Sequence, residues 1–194
     1  MLMNTKETLK KMEEITELYV RELDRYDMEQ LTRKPSEDEW SLGQMYMHLI
    51  RATLFMQLRH VDTFKAQSEQ IEAANGEAGS ESLSGGDTPG EKTEAGQAVF
   101  AQGSLPPVRI RVPASPEYTP PQPESKEQLA EGLRQVLSKM RELEPVLADI
   151  SPVFTAPHPA FGHLNATEWF AIVEMHYRHH LRQKERLDAL LMQV

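Results

Sequence analysis

The sequence predicts an all-α protein, a four-helix bundle with one long crossover between its second and third helices. Four stretches repeat apolar residues at the three- and four-residue spacing of an amphipathic helix. About eight residues separate the first two helices, which makes them antiparallel neighbours. Roughly fifty residues separate the second helix from the third, and a connection of that length can run the full height of a bundle. We expect residues 1–194 to form a single domain of this kind.

Each predicted helix begins at a residue whose side chain can cap the exposed backbone N–H groups. The four pairs of a cap residue and a partner three positions later are Asn4 with Glu7, Ser41 with Gln44, Ser125 with Gln128, and Asn165 with Glu168. In such a pair the cap oxygen accepts from the backbone N–H of the partner, whose side chain can reach back to the cap. Four such pairs, each directly before an apolar run, predict four helix starts.

The helices are predicted over residues 5–32, 41–73, 126–149 and 166–192. The second is apolar around most of its circumference, which predicts that it is buried on most sides. Pro145 ends or kinks the third helix, because it removes a backbone donor and clashes with the preceding turn.

Residues 74–123 form the predicted crossover. Its first part, residues 74–104, is rich in Gly, Ser and Glu and is predicted to be flexible, so that deleting most of 76–104 leaves the bundle folded. Its second part, residues 105–123, contains most of the prolines and is predicted to be extended. Alternating apolar and Arg residues allow a very short strand around residues 108–112.

Composition and charge exclude several classes of protein. The chain has 21 Lys and Arg residues against 30 Asp and Glu, a formal net charge of −9. This charge argues against binding nucleic acid or anionic lipid. The absence of Cys excludes disulfides, thiol nucleophiles and Cys-ligated metals. No apolar run approaches the ~18–20 residues of a membrane span. The polar N-terminus has no signal-peptide core, and we expect a cytoplasmic protein.

The most specific local feature is a histidine pair in the fourth helix. His176 and His180 are four residues apart and lie on the same apolar face as Trp169 and Leu187. Two imidazoles at this spacing can bind one metal ion, although on pattern alone such pairs are more often structural. His179 lies about 100° away from His180 at the edge of that face and is predicted to be solvated.

A third histidine favours a metal-binding role of the pair over a structural one. His48 is predicted in the buried part of the second helix, where bulky Met and Phe neighbours offer an imidazole few partners. A lone histidine on an apolar face is usually a core residue with a satisfied hydrogen bond, and an unpaired one costs about 1–3 kcal/mol. Sharing one ion among His48, His176 and His180 resolves the problem. It also leaves coordination positions open, as in a catalytic metal site.

Other polar residues have simpler interpretations. His158 and His163 flank a turn before the fourth helix, and a turn is favoured over a lining of the site. His60 is predicted on a different face from His48 and exposed. Gln44 is explained by its capping role. Gln183 lies on the histidine face of the fourth helix, and the sequence favours neither contact nor absence of contact with the site.

Two sequence motifs resemble the DinB/YfiT-like family. Residues 40–41 (Trp-Ser) and 48–49 (His-Leu) are similar to the second-helix signature of that family. Residues 158–183 are similar to its closing motif: His-Pro, a Gly, a capped helix with Trp, then His-x-x-x-His and Gln. The resemblance covers about residues 1–65 and 125–192. The crossover departs from it, because it is longer and of lower complexity than is typical.

The resemblance implies a four-helix bundle with a divalent metal ion, nickel or zinc, held by His48, His176 and His180. Members of the family are often dimers. Those with known activity include transferases and isomerases that use low-molecular-weight thiols such as bacillithiol or mycothiol, and others are described as metal-dependent hydrolases. The resemblance therefore implies a homodimer that acts on a small-molecule substrate, with a thiol as one candidate.

Two functions from different classes remain open. The first is a metalloenzyme, a hydrolase or a thiol S-transferase, in which the ion activates a water, thiol or carbonyl. No carboxylate is clearly placed as a general base, since Glu168 is explained by capping and Glu174 by solvent exposure. The second is a non-catalytic helical bundle that binds a ligand or partner and keeps a structural or vestigial metal. In that case residues 74–104 and 105–123 would be the docking elements.

Overall fold

The structure is a computed structural model that describes residues 4–77, 90–108 and 119–191, and within these it is mostly helical. The elements in chain order are α1 (Thr5–Glu22), a 3-10 turn (Leu23–Arg25), α2 (Met28–Thr32), α3 (Leu42–Ala52), a π-helical segment (Thr53–Gln57), α4 (Leu58–Glu77), α5 (Glu94–Gln102), α6 (Lys126–Leu143), a 3-10 segment (Glu144–Asp149), β1 (Thr155–His158), β2 (Gly162–Asn165) and α7 (Ala166–Leu191). Among the described residues, no helix is both long enough and apolar enough to cross a membrane.

All four predicted caps are confirmed. Asn4, Ser41, Ser125 and Asn165 each accept a hydrogen bond from the backbone N–H three residues later, at 3.1 Å in every case. At two of these helix starts the partner side chain also accepts from the cap N–H: Gln44 Oε1 at 3.1 Å and Glu168 Oε2 at 3.0 Å. The capping roles predicted for these two partners are therefore confirmed.

Three of the predicted helices are interrupted, the second of them by the π-helical segment Thr53–Gln57. The first breaks at a 3-10 turn after Glu22, and Asp27 then caps the short α2 through a reciprocal pair with Gln30. The third loses its α-helical geometry after Leu143, where Pro145 stands in the first turn of a 3-10 segment. The predicted effect of this proline is confirmed.

Three buried tyrosines join α1, α3 and α7. The ring of Tyr19 meets the rings of Tyr46 and Tyr177 edge-on, at centroid distances of 5.3 and 5.8 Å. The hydroxyl of Tyr46 donates to the backbone carbonyl of Tyr19, and the hydroxyl of Tyr19 donates to that of Tyr177. α1 and α3 each pack against both α6 and α7, so these polar contacts fix the mutual positions of packed helices.

Residues 90–104 are not the flexible loop that their composition predicts. Thr93 donates to the carbonyl of Phe161, His163 donates to the carbonyl of Glu91, and Lys92 forms an antiparallel bridge with Gly162. The segment thus continues the β1–β2 hairpin by backbone pairing. It then forms α5, whose Val99 is buried in the core. Backbone pairing of this kind leaves no signature in composition.

The rest of the crossover is described only in part. Helix α4 extends to Glu77, so the helical structure runs into the predicted loop. Of the short strand predicted around residues 108–112, Val108 is described and is exposed, whereas 109–118 lie outside the described residues.

Gly96→Leu is expected to detach α5 from the hairpin. A side chain at this position collides with the backbone carbonyl of Phe161, which cannot move without opening the hairpin. We expect trypsin to cleave at Lys92 several-fold faster in this variant, because local opening exposes the backbone to the protease. The matched control is Ala98→Leu, which adds the same side chain on the exposed face of α5. Equal cleavage rates in the two variants would contradict this packing.

Candidate metal centre

Histidines from two helices meet at one point. His48 comes from α3, and His176 and His180 come from successive turns of α7. The Nε2 atom of His176 lies 3.1 Å from the Nε2 of His48 and 3.1 Å from the Nε2 of His180. The three candidate ligand atoms all lie within 4.8 Å of one another. The structure therefore brings together the three residues that the sequence singled out.

This arrangement fits a metal ion. Nitrogen ligands stand 2.0–2.1 Å from zinc, so two nitrogens of a tetrahedral site are about 3.3 Å apart. The observed 3.1 Å spacings are close to that value. Without an ion, the Nε2 of His176 faces two other nitrogens, and a single N–H can donate to only one of them. A cation would engage the lone pairs of all three.

The three imidazoles are also in the protonation state that a metal requires. Burial lowers the pKa of His48 to about 4. Burial and the proximity of His48 lower the pKa of His180 to about 3, against the opposing hydrogen bond of Gln183. Burial, followed by the neighbouring histidines, holds the pKa of His176 well below its usual value. All three are neutral at pH 7, and neutral imidazole is the form that binds metal.

A glutamine orients one of the histidines. The Oε1 of Gln183 lies 2.8 Å from the Nδ1 of His180. Since a carbonyl oxygen only accepts, the ring hydrogen of His180 is on Nδ1 and the Nε2 lone pair is directed at the cluster. This is the outer hydrogen bond that metal-binding histidines usually make. The question that the sequence left open for Gln183 is settled in favour of contact.

The family model of the DinB superfamily matches residues 9–183, most of the chain. The chain belongs to the DinB superfamily. The match includes all three clustered histidines and confirms the resemblance seen in the motifs. No curated protein and no solved structure matches the chain significantly.

Sequence reasoning missed two residues that contact the cluster of this DinB chain. Trp40 places its ring 5.0 Å from the ring of His48, and the buried Gln57 places its Nε2 3.4 Å from the Nδ1 of His176. Gln57 follows His48 by nine residues, which in a regular helix is about 180° around the axis. The intervening π-helical segment, equivalent to one extra residue, reduces the angle to about 80°. The periodicity of apolar residues in the sequence does not predict that segment.

The same segment explains a wrong prediction for His60. The sequence predicts that this residue is exposed on a different face from His48, but it is half-buried, with its ring 4.5 Å from that of Trp169. One extra helical residue reduces the angle between His48 and His60 from about 120° to about 20°. His158 stacks on Phe161 at 4.4 Å and lies 5.4 Å from Trp169. An aromatic wall of these four rings therefore continues the histidine face along α7.

The remaining histidines lie outside the cluster. His163 places its Nδ1 3.2 Å from the Thr155 hydroxyl within the hairpin. His179 is half-buried rather than solvated, although its place at the edge of the face agrees with the prediction, its ring being 5.7 Å from that of His180. Burial, and then the charge of Arg182, lowers the pKa of His179.

The exposure predicted for Glu174 is wrong. Its side chain is buried and forms a two-point ion pair with Arg178, at 2.8 and 2.9 Å. Arg178 also donates to the carbonyl of Gly103 at 2.7 Å, so the chain after α5 covers this face of α7. Glu168, besides its capping role, pairs with Lys92 at 2.6 Å. Both carboxylates are held by cations away from the histidines.

Metal-free protein is expected to lose stability as the pH falls from 6.5 to about 4. In this range the unfolded chain takes up protons at its histidines, whereas buried His48, with a pKa of about 4, does not. Each such histidine contributes a loss of about 1.4 kcal/mol per pH unit, which ends once the pH is below its folded pKa. Urea unfolding at pH 7, 6 and 5 measures the slope. His48→Gln, which does not titrate, should show a shallower slope, and equal slopes would contradict the account.

Proposed function

We propose that this DinB protein is a metal-dependent enzyme, a hydrolase or a low-molecular-weight-thiol S-transferase. The observation that carries the proposal is the convergence of three neutral imidazole nitrogens from His48, His176 and His180. Three protein ligands leave positions open for water or substrate, as in catalytic sites. Nickel or zinc is the proposed ion, because imidazole suits both.

The bound ion would supply a Lewis acid that lowers the pKa of a water or thiol or polarises a carbonyl. The chain itself supplies orientation through Gln183, and the aromatic wall that includes Trp169 and His60 continues the face of α7 that carries the histidines. The chain has no cysteine, so the sulfur of a transfer reaction must come from a thiol substrate. Glu168 is held by Lys92, which disfavours it as a general base.

A four-helix bundle is the proposed architecture behind the site. Its members would be α1 with α2, α3 with α4, α6, and α7, joined by the crossover of residues 74–123 within one domain. The packing of α1 and α3 against both α6 and α7 supports this arrangement. We further propose that the protein is a cytoplasmic homodimer that acts on a small-molecule substrate and binds neither nucleic acid nor membrane, in agreement with its net charge of −9.

A turnover screen tests the proposed activity. Protein loaded with nickel or zinc is incubated with low-molecular-weight thiols and electrophiles, and separately with esters and amides. Turnover is expected in one of the two sets for the wild type and for His179→Ala, whose side chain is outside the cluster. His176→Ala should lose it while retaining its helical circular dichroism. Metal binding without turnover in either set would instead favour a non-catalytic bundle with a structural or vestigial metal.

A further inference from the structure

We propose that Gln57 is a positioning residue of the metal centre, and that its side-chain amide turns over by 180° when the metal binds. In the metal-bound form its Oε1 would accept a hydrogen bond from the Nδ1–H of His176. This inference rests on the proposed binding of metal at the three histidines.

The structure defines one orientation of the amide. Gln57 is 3% exposed, its Nε2 lies 3.4 Å from the Nδ1 of His176, and its Oε1 accepts from the Thr53 hydroxyl at 3.1 Å. An amide NH2 group only donates, so the Nδ1 of His176 accepts and the ring hydrogen is on Nε2. That hydrogen occupies the side of the ring that faces His48 and His180.

Metal binding demands the other tautomer. Coordination through Nε2 requires its lone pair, so the ring hydrogen of His176 must move to Nδ1. The NH2 group of Gln57 and the N–H of His176 would then be two donors facing each other in a buried place. Turning the amide over removes this conflict, because Oε1 accepts from His176 and Nε2 donates to Thr53.

A third residue gains from the same rotation. The Tyr177 hydroxyl is buried and makes no hydrogen bond to any residue in the described part of the chain. The polar side chain beside this phenol is that of Thr53. When the amide donates to Thr53, the hydroxyl hydrogen of Thr53 is released and can be donated to Tyr177. The rotated arrangement thus pairs a polar atom that is otherwise orphaned.

The π-helical segment brings the amide to this position. Thr53 and Gln57 begin and end the segment, whose exposed residues include Phe55. Without the extra residue, Gln57 would be on the far side of the helix from His48. π-helical turns often occur at functional sites, and here the turn delivers an outer hydrogen-bond partner to His176.

Substitutions at Gln57 separate a hydrogen-bonding role from a packing role. Zinc and nickel affinities are measured by competition with a chromophoric chelator at pH 7. Gln57→Leu keeps most of the volume but cannot accept, and we expect its affinity to fall roughly 10–100-fold. Gln57→Glu keeps an acceptor and should bind at least as tightly as the wild type. Gln135→Leu, at an exposed position of α6, is the matched control and should change nothing.

A spectroscopic readout on the wild type tests the change of tautomer that the rotation requires. Long-range proton–nitrogen NMR spectra of the imidazoles should place the hydrogen of His176 on Nε2 without metal and on Nδ1 with zinc. A hydrogen on Nδ1 in both states would overturn the rotation. Affinity of Gln57→Leu within twofold of the wild type, or of Gln57→Glu as weak as Gln57→Leu, would overturn the positioning role. A wild type that binds neither metal would instead refute the proposed function.

Discussion

Alanine at position 48, 176 or 180 is expected to lower metal affinity by more than about 100-fold. This loss is larger than the roughly 10–100-fold loss that follows when an outer hydrogen-bond partner of a ligand is removed. Each of these imidazoles contributes one of the three nitrogens that cluster in the described part of the chain, so its removal leaves two. His179→Ala should bind metal as the wild type does, because its side chain lies outside the cluster. Elemental analysis and calorimetric titration of the four variants measure the stoichiometry and the affinity.

The metal-free ligand variants should remain helical. Buried apolar side chains of α1, α3, α6 and α7 stabilise the core, and the ion is not needed for it. Circular dichroism without metal checks this point. If His179→Ala lost the metal while His180→Ala retained it, the assignment on α7 would be wrong. If none of the four variants differed from the wild type, the three-histidine site would have to be abandoned.

Lys184→Met is expected to destabilise the protein by about 3–5 kcal/mol. Lys184 is 4% exposed, and its Nζ donates to Asp188 at 2.7 Å and to Glu22 and the Tyr26 hydroxyl at 3.0 Å. Burial alone would lower the pKa of Lys184, but these hydrogen bonds more than offset it and raise the pKa. Removing this cation leaves Glu22 paired only with the exposed Arg25, and Asp188 only with the Tyr26 hydroxyl, among the partners that the structure shows. Urea unfolding at pH 7 measures the loss.

A more exposed lysine with similar partners provides the control. Lys139 pairs with Asp62 and Glu142, both at 2.9 Å, but all three side chains are much more exposed than Lys184. Lys139→Met should therefore cost no more than about 1 kcal/mol. Similar losses in the two variants would show that burial of the Lys184 network does not determine its contribution.

Features that depend on neighbours in the chain were predictable from the sequence. The four helix starts follow from a cap and a partner three residues away, which interact before any tertiary contact forms. The effect of Pro145 is equally local, since it follows from the missing N–H and the fixed ring. The shared face of His176 and His180 follows from helical geometry alone. His48 was identified because an unpaired imidazole on an apolar face needs a partner.

Only the tertiary structure decided the surroundings of the histidines. The π-helical segment turns Gln57 and His60 toward the site. The segment shifts the helical register by one residue but leaves the apolar pattern before and after it unchanged, so the pattern does not reveal the shift. Glu174 is buried because α7 pairs it with Arg178 under the chain that follows α5. Residues 90–104 dock through backbone hydrogen bonds, which the composition of the segment does not reveal. The contact of Arg178 with Gly103 and the pairing of residues 90–104 with the hairpin join residues distant in sequence, so helical periodicity carries no information about them.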